Sequence, residues 1–258
     1  MILVTGASGH LGRRIVDRLI VRGGGAAGMA ASVRDPAGAG QLAERGVSVR
    51  EGDFDQPDAL ASAFVGVDKL ILVSTDGPKG LRSAQHQRAI SAAKSVGVQH
   101  ILYTSLIDVT VDSPADFAAA HRTTEADLAA SGRKFTALRN PLDADLLPMT
   151  LASALKSGVF QLPAGAGRVS FVSRAELAEA TAAAALAPAL ARNVNELSGE
   201  ATHDYHEVAA AVAYASGRPI RYQPVSEDAY AAALAATGVS GWLARPLACL
   251  AQELFGTR

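Results

Sequence analysis

The sequence predicts an α/β protein: a doubly wound parallel sheet with helices on both faces, followed by a small C-terminal α+β lobe. Three observations predict it. The chain opens with a short apolar run, Ile2-Leu3-Val4, a glycine-spaced turn, and a helix-period stripe of Leu11, Ile15, Val16, Leu19 and Ile20. Further short apolar runs recur near residues 30–33, 47–49, 70–73, 101–105 and 135–138, each followed by a helical or loop stretch. Such alternation of strand and helix is the signature of a parallel sheet. From Asp143 onward the rhythm changes to short strands among alanine-rich helices. The expected division is therefore residues 1–140 as a dinucleotide-binding domain and 141–258 as a smaller substrate-binding lobe.

Composition limits the function classes. The chain has 258 residues, 49% of them hydrophobic and 19% charged, enough for a large α/β core with an appended lobe. Net charge is −1 without a basic block, which disfavours nucleic acid as a partner. A single cysteine, Cys249, excludes an intrachain disulfide and a cysteine-rich metal site. No apolar run reaches membrane-spanning length, and the chain starts directly with a strand, so the expectation is a cytoplasmic protein with no membrane partner.

Taken in order, Gly6, Gly9 and Gly12 follow the first strand at three-residue spacing. Gly6 suits a tight turn, Gly9 lets the backbone approach a pyrophosphate, and Gly12 lets the helix pack closely on the strand. The helix start then offers free N–H groups and a partial positive charge to an anion. Gly6, Ser8, Gly9, His10, Leu11 and Gly12 are thus candidate cofactor contacts. An ordinary glycine turn would explain the spacing, but not its position between a first strand and an amphipathic helix.

The second strand, 30–33, ends in Arg34, at the position facing the adenosine ribose in dinucleotide folds. An acid there binds a 2′-hydroxyl and an arginine accommodates a 2′-phosphate, so Arg34 favours NADPH over NAD. A solvated surface charge is the alternative, and Asp35 lies next door. A short helix over 38–45 and a strand at 47–49 lead to Gly52-Asp53-Phe54-Asp55. Asp53 and Phe54 fall at a strand C-terminus, where this fold binds ligands, and an aromatic there could stack on adenine. Asp55 reads as the cap of a helix beginning near Pro57.

The central strand 70–73 is followed by Ser74 and Thr75, placed to touch cofactor phosphate or ribose, and by a loop to Arg82 that could line a cleft. In the next helix, 84–96, His86 and Arg88 read as a solvated face. The strand at 101–105 contributes Thr104 and Ser105 to the same edge. A helix over 114–131 and a strand at 135–138 lead to Arg139-Asn140-Pro141, where Asn140 could orient a carboxamide or serve as a turn residue. Six such strands describe a Rossmann-like sheet. The lobe then reads as a helix at 143–156, strands at 169–172, 194–197 and 219–223, a capping box from Ser173 to Glu176, a helix at 204–215 and two final helices. His203 and His206 share a helix face, but surface residues explain them better than a metal pair. Cys249 reads as a buried thiol.

The segments TGASGHLG, SVRDP, EGDFDQPDAL, LILVS, YTSL, HRTTEADLAASG and TALRN occur in this order. In them the chain resembles the NmrA-like group of atypical short-chain dehydrogenase/reductases, and within it the bacterial quinone reductases and triphenylmethane reductases. The resemblance is strong over residues 1–140 and weaker beyond. It implies NAD(P)H-dependent hydride transfer to a quinone-like or conjugated aromatic acceptor. Two departures fall on the substrate side: Pro141-Leu142-Asp143-Ala144-Asp145 replaces a glycine-and-aromatic segment, and the stretch from Gly241 to Pro246 is shorter than in the quinone reductases.

Typical short-chain reductases carry Tyr-x-x-x-Lys, whose tyrosine donates a proton. Four residues after Tyr103, Tyr205, Tyr214, Tyr222 and Tyr230 stand Ile107, Ala209, Arg218, Ser226 and Leu234. By the resemblance, Glu125 marks the register, Phe117 takes the tyrosine place and His121 the lysine place. His121 is therefore the candidate catalytic residue, either bonding the nicotinamide ribose or protonating product; a satisfied structural histidine is the alternative. A quinone accepts hydride without an obligatory protein acid, so the expected activity survives the missing dyad. An NADP(H)-binding sensor without turnover, and a tailoring enzyme for polycyclic aromatics, are the competing readings. The expected partner is a small aromatic or quinone substrate, with a homodimer left open.

Overall fold

A computed structural model describes residues 1–76, 79–107, 116–141, 143–236, 238–239, 244–245 and 248. The elements run β1 (Ile2–Val4), α1 (His10–Gly23), β2 (Met29–Val33), α2 (Gly40–Glu44), β3 (Ser48–Glu51), α3 (Pro57–Phe64), β4 (Lys69–Leu72), α4 (Lys79–Ser95), β5 (His100–Leu106), α5 (Asp116–Ala130) and β6 (Lys134–Asn140). They continue with α6 (Leu147–Ser157), β7 (Val159–Leu162), β8 (Arg168–Val169), α7 (Arg174–Leu186), β9 (Val194–Glu196), β10 (His203–Asp204), α8 (Tyr205–Ser216), β11 (Arg221–Pro224) and α9 (Glu227–Ala236). Short 3-10 turns at Pro36–Ala39 and Ala144–Leu146 complete them.

The chain forms two compact units that interleave in sequence. The first comprises Met1–Ile107, Ala120–Asn140 and Arg174–Leu197; the second comprises Asp108–Ala119, Pro141–Ser173 and Ser198–Arg258. The expected boundary at residue 140 therefore differs over 108–119 and 174–197. The physical reason lies in β9 and α7. Residues 194–196 do not form a lobe strand; they add a seventh, parallel strand beside β6, with Ala137 opposite Val194. Ala178, Ala182 and Ala185 of α7 pack in the same apolar cluster as Ile15, Val16 and Leu19 of α1.

The first unit is a seven-stranded sheet in the order β3-β2-β1-β4-β5-β6-β9, with every pairing parallel. The strand order reverses between β1 and β4, which is where a doubly wound sheet opens a crevice at its C-terminal edge. Alternation along the strands assigns residues to two cores. Leu3, Ala30, Leu70, Leu72, Ile101 and Tyr103 join one apolar cluster, with Leu60 and Phe64 of α3 and Ala89 and Ala93 of α4. Val4, Ala31, Ile71 and Leu102 join the other, with α1 and α7. Both faces of the sheet are thus covered, and its central strands read as unbroken apolar runs.

In the second unit β7 pairs with β11 in parallel and β8 with β10 antiparallel. An aromatic cluster of Phe160, Tyr205 and Tyr222 fills its core. The helix α8 opens with a capping box: Asp204 accepts from Glu207 N–H and Glu207 reaches back to the Asp204 main chain. His203 and His206 do not share a helix face. His203 lies in β10 with its ring 3.1 Å from Glu207, while His206 stacks edge-on against Tyr222. No cluster of metal ligands occurs among the described residues. Among them, too, no helix is long and apolar enough to cross a membrane. Cys249, Leu142 and most of the expected last helix lie outside the described residues.

Candidate functional site

The β1–α1 turn is built from backbone. Gly6 adopts φ +58°, a left-handed conformation open to glycine. A Cβ on Gly12 would lie 2.2 Å from the Gly6 carbonyl oxygen and 3.1 Å from Ala7 Cα, so only glycine lets the helix seat on the turn. Gly9 is the N-cap of α1, extended and without a side-chain cap. Ser8, Gly9 and His10 are exposed, Leu11 is half-buried and Gly12 is buried. The first N–H groups of a helix have no intrahelical acceptor, so this exposed start presents donors to an anion.

At the end of β2 the Arg34 side chain is 78% exposed and approaches Asp53 only to 3.9 Å. Asp35 is otherwise engaged: its carboxylate accepts from Ala37 N–H at 2.9 Å and caps the Pro36–Ala39 turn. Asp53 accepts from Asp55 N–H at 3.0 Å. Two expectations need correction here. Asp55 does not cap α3, whose N-cap is Gln56; its carboxylate instead takes Arg88 at 2.8 Å and Gln85 at 3.1 Å. Phe54 packs in the core and retains 9% exposure, because its ring falls on the α3–α4 side of the sheet with Leu60 and Phe64. It is a core side chain, not a free stacking platform.

The exit from β4 is held by side chains. Three successive main-chain N–H groups leave the strand ladder, and each finds a side-chain acceptor. Val73 donates to Thr5 Oγ1 at 3.0 Å, Ser74 to Thr104 Oγ1 at 2.9 Å, and Thr75 to His86 Nε2 at 3.0 Å. Those N–H groups are spent on the protein, which leaves the Ser74 and Thr75 oxygens as the polar groups of this segment that a ligand could use. Thr5 went unnoticed in the sequence because a threonine after an apolar strand carries no signal of its own. His86 is not on a solvated face; it is fully buried. Arg82 is 6% exposed on the same side of α4.

A polar network fills the space between α4, β5 and α5. Tyr103 Oη lies 2.6 Å from His121 Nδ1, and Arg82 Nη1 lies 3.4 Å from His121 Nε2. A guanidinium only donates, so Nε2 is the acceptor and Nδ1 carries the proton. Burial, with Arg82 and His86 nearby, holds the His121 imidazole well below its usual pKa. It is neutral near pH 7 and has no imidazolium proton to give. Its ring nitrogens are already partnered and it is 5% exposed, which corrects the expectation of an accessible acid. Burial and Arg82 likewise lower His86 to about 3. Phe117 lies in α5, one turn before His121.

Ser105 turns its hydroxyl to Glu125 at 2.5 Å. Glu125 in turn receives Arg139 through two bonds, 3.1 Å and 2.8 Å, and this bidentate pairing raises the Arg139 pKa. Ser105 is 3% exposed, so its hydroxyl braces β5 against α5 and β6. Asn140 ends β6. Its main-chain oxygen accepts from Ile107, while its side-chain Oδ1 is buried with no hydrogen-bond partner. A buried acceptor left open costs free energy unless a donor arrives. Pro141 is buried and counts with the second unit.

A Gly12 cradle that a Cβ would fill, an exposed helix start, an open arginine after β2 and an orphaned Asn140 acceptor fit a nicotinamide dinucleotide. Fold and site together define a dinucleotide-binding α/β protein. Comparison with known proteins agrees. The chain belongs to the NAD(P)H-binding family, which matches residues 6–188, and within it to the NmrA-like group of atypical short-chain dehydrogenase/reductases. Its enzyme class is that of an NAD(P)H-dependent oxidoreductase. Quinone oxidoreductase 2 of Escherichia coli is 38% identical over 248 residues, covering 96% of this chain and 86% of that protein. The crystal structure of the NADPH-dependent quinone oxidoreductase of Escherichia coli with NADPH matches at TM-score 0.93 and 37% identity, covering 98% of this chain and 89% of that one. The triphenylmethane reductase of Citrobacter sp. with NADP(H) matches at TM-score 0.90 and 31% identity, covering 100% and 96%.

Proposed function

We propose that the protein binds NADPH on its first unit and reduces a quinone-like or conjugated aromatic acceptor, without a Tyr-x-x-x-Lys dyad. The observation that carries the cofactor choice is Arg34, 78% exposed at the end of β2 with its neighbour Asp35 committed to a turn cap. A 2′-phosphate gains a charge-assisted partner there, and one oxygen of the neighbouring Asp35 carboxylate is already taken by the turn. The glycine turn and the start of α1 would hold the pyrophosphate. Ser74, Thr75 and Asn140 are the candidate contacts for ribose and carboxamide, Asn140 through its open Oδ1, while Thr104, 2% exposed with its hydroxyl on Ser74, stands behind them and not at the ligand. Pro141 would begin the wall that follows it.

NADPH, when bound, supplies the hydride. The protein's own part is to hold the cofactor and orient the acceptor. His121, neutral and buried, supports a route in which the acceptor's reduced oxygen takes its proton from solvent. The residues grouped in the second unit are the proposed substrate lobe. NADPH oxidation against quinones and triphenylmethane dyes, with NADH beside it and a binding titration in parallel, tests the proposal. The expected result is turnover that prefers NADPH. Tight binding with no turnover on any acceptor would overturn the reductase reading in favour of a sensor.

A further inference from the structure

His86 is tied to its surroundings at both ring nitrogens. Its Nε2 accepts the Thr75 main-chain N–H at 3.0 Å, with the Thr75 hydroxyl 3.3 Å away. An amide N–H only donates, so Nε2 carries the lone pair. On the opposite edge Nδ1 lies 2.9 Å from Thr124 Oγ1. Thr124 gives its own hydroxyl hydrogen to the Ala120 carbonyl at 2.9 Å. The threonine oxygen must therefore accept from the ring, and the proton sits on Nδ1. Partners on both sides thus select one tautomer. Tyr103 closes over the ring edge-on, with centroids 5.3 Å apart.

We propose that His86 is a positioning residue for the dinucleotide site: its Nδ1–H tautomer, anchored on Thr124 of α5, presents Nε2 to the Thr75 N–H and fixes the Ser74–Thr75 main chain beyond the end of β4. The proposal rests on the reading that this segment faces NADPH. Two helices and a strand end meet at one imidazole. The Ser74 and Thr75 oxygens are held before any ligand arrives, so binding loses less conformational entropy. His86 acts through Thr75 and touches no cofactor itself.

Three proteins test it: the wild type, His86→Gln and His86→Leu. Glutamine can reproduce both bonds, its carbonyl accepting from Thr75 and its amide donating to Thr124. Leucine keeps the volume and loses both. The readouts are the NADPH dissociation constant, kcat and KM with a quinone, and the imidazole 15N shifts of the wild type, with thermal melts reporting folding. The leucine variant should bind NADPH about tenfold more weakly, with kcat within about twofold, and the glutamine variant should return to within about threefold of wild type. The 15N shifts should report the Nδ1–H form. Unchanged affinity in a folded His86→Leu, equal losses in both variants, or an Nε2–H ring would overturn the proposal. If the leucine variant does not fold, a folded His86→Gln that binds NADPH weakly overturns it, and one with wild-type affinity upholds it. A wild type that binds neither NADPH nor NADH would instead overturn the cofactor reading beneath it.

Discussion

The turn after β1 and the segment after β4 lie at the ends of adjacent strands, and they are built in opposite ways. After β1 the shape comes from the backbone: Gly6 at positive φ, Gly9 as an uncapped helix start, and Gly12 within van der Waals contact of the turn. After β4 it comes from side chains of other elements, Thr5, Thr104 and His86, each accepting one main-chain N–H. A local device writes itself into a short stretch of sequence. A non-local one is distributed over three elements and shows only when they pack.

The comparison breaks most visibly at Gly12. Gly12→Val would press side-chain carbon into the Gly6 carbonyl, and overpacking of this kind costs about 1–3 kcal/mol. Denaturant unfolding should show that loss together with abolished NADPH binding. Normal binding would mean that the turn can relax and is not the rigid cradle described.

The second effect is pH-dependent and belongs to the β4 side. His86 has a folded pKa of about 3 against an ordinary 6.5. Between those values the unfolded chain binds a proton that the folded chain does not, so stability falls as pH falls. One such histidine contributes a slope of about 1.4 kcal/mol per pH unit. That contribution is absent above pH ~7 and grows toward pH ~4. The unfolding free energy of His86→Gln should therefore depend less steeply on pH than the wild type over that range. Parallel acid limbs would show that His86 titrates normally and is not buried as described.

The smallest effect concerns Ser105. Its hydroxyl braces Glu125, which keeps its two bonds to Arg139 without it. Ser105→Ala should cost about 1 kcal/mol of stability, the usual worth of one hydrogen bond. NADPH affinity should stay within about twofold, a change of less than 0.5 kcal/mol. A larger loss of affinity would return Ser105 to the cofactor contacts.

The same contrast governs what could be read from the sequence. The sheet, its order of strands and helices, and the glycine turn were legible because apolar period and glycine spacing are local signals. The strand β9 reads as part of the lobe because it comes after Asp143 in the chain, and only its pairing with β6 places it in the main sheet. Phe54 misled because its neighbours Asp53 and Asp55 look like a ligand edge, while the face of the sheet it joins depends on register. The burial of His86 does have a local signal: it stands three, four and seven residues before Ala89, Ile90 and Ala93, on the buried stripe of α4. His121 is a candidate only through the family resemblance, which places it at the lysine position, and its lack of an exchangeable charge follows from burial beside Arg82.

The central claim is that an NADPH site exists here and that Arg34 selects its 2′-phosphate. The most direct measurement is a parallel titration of the wild type and Arg34→Ala with NADPH and with NADH. A lost charge-assisted bond is worth about 1.5–3 kcal/mol, so the variant should bind NADPH roughly tenfold to a hundredfold more weakly while its NADH affinity changes little. Equal changes for both cofactors, or none for either, would contradict the account.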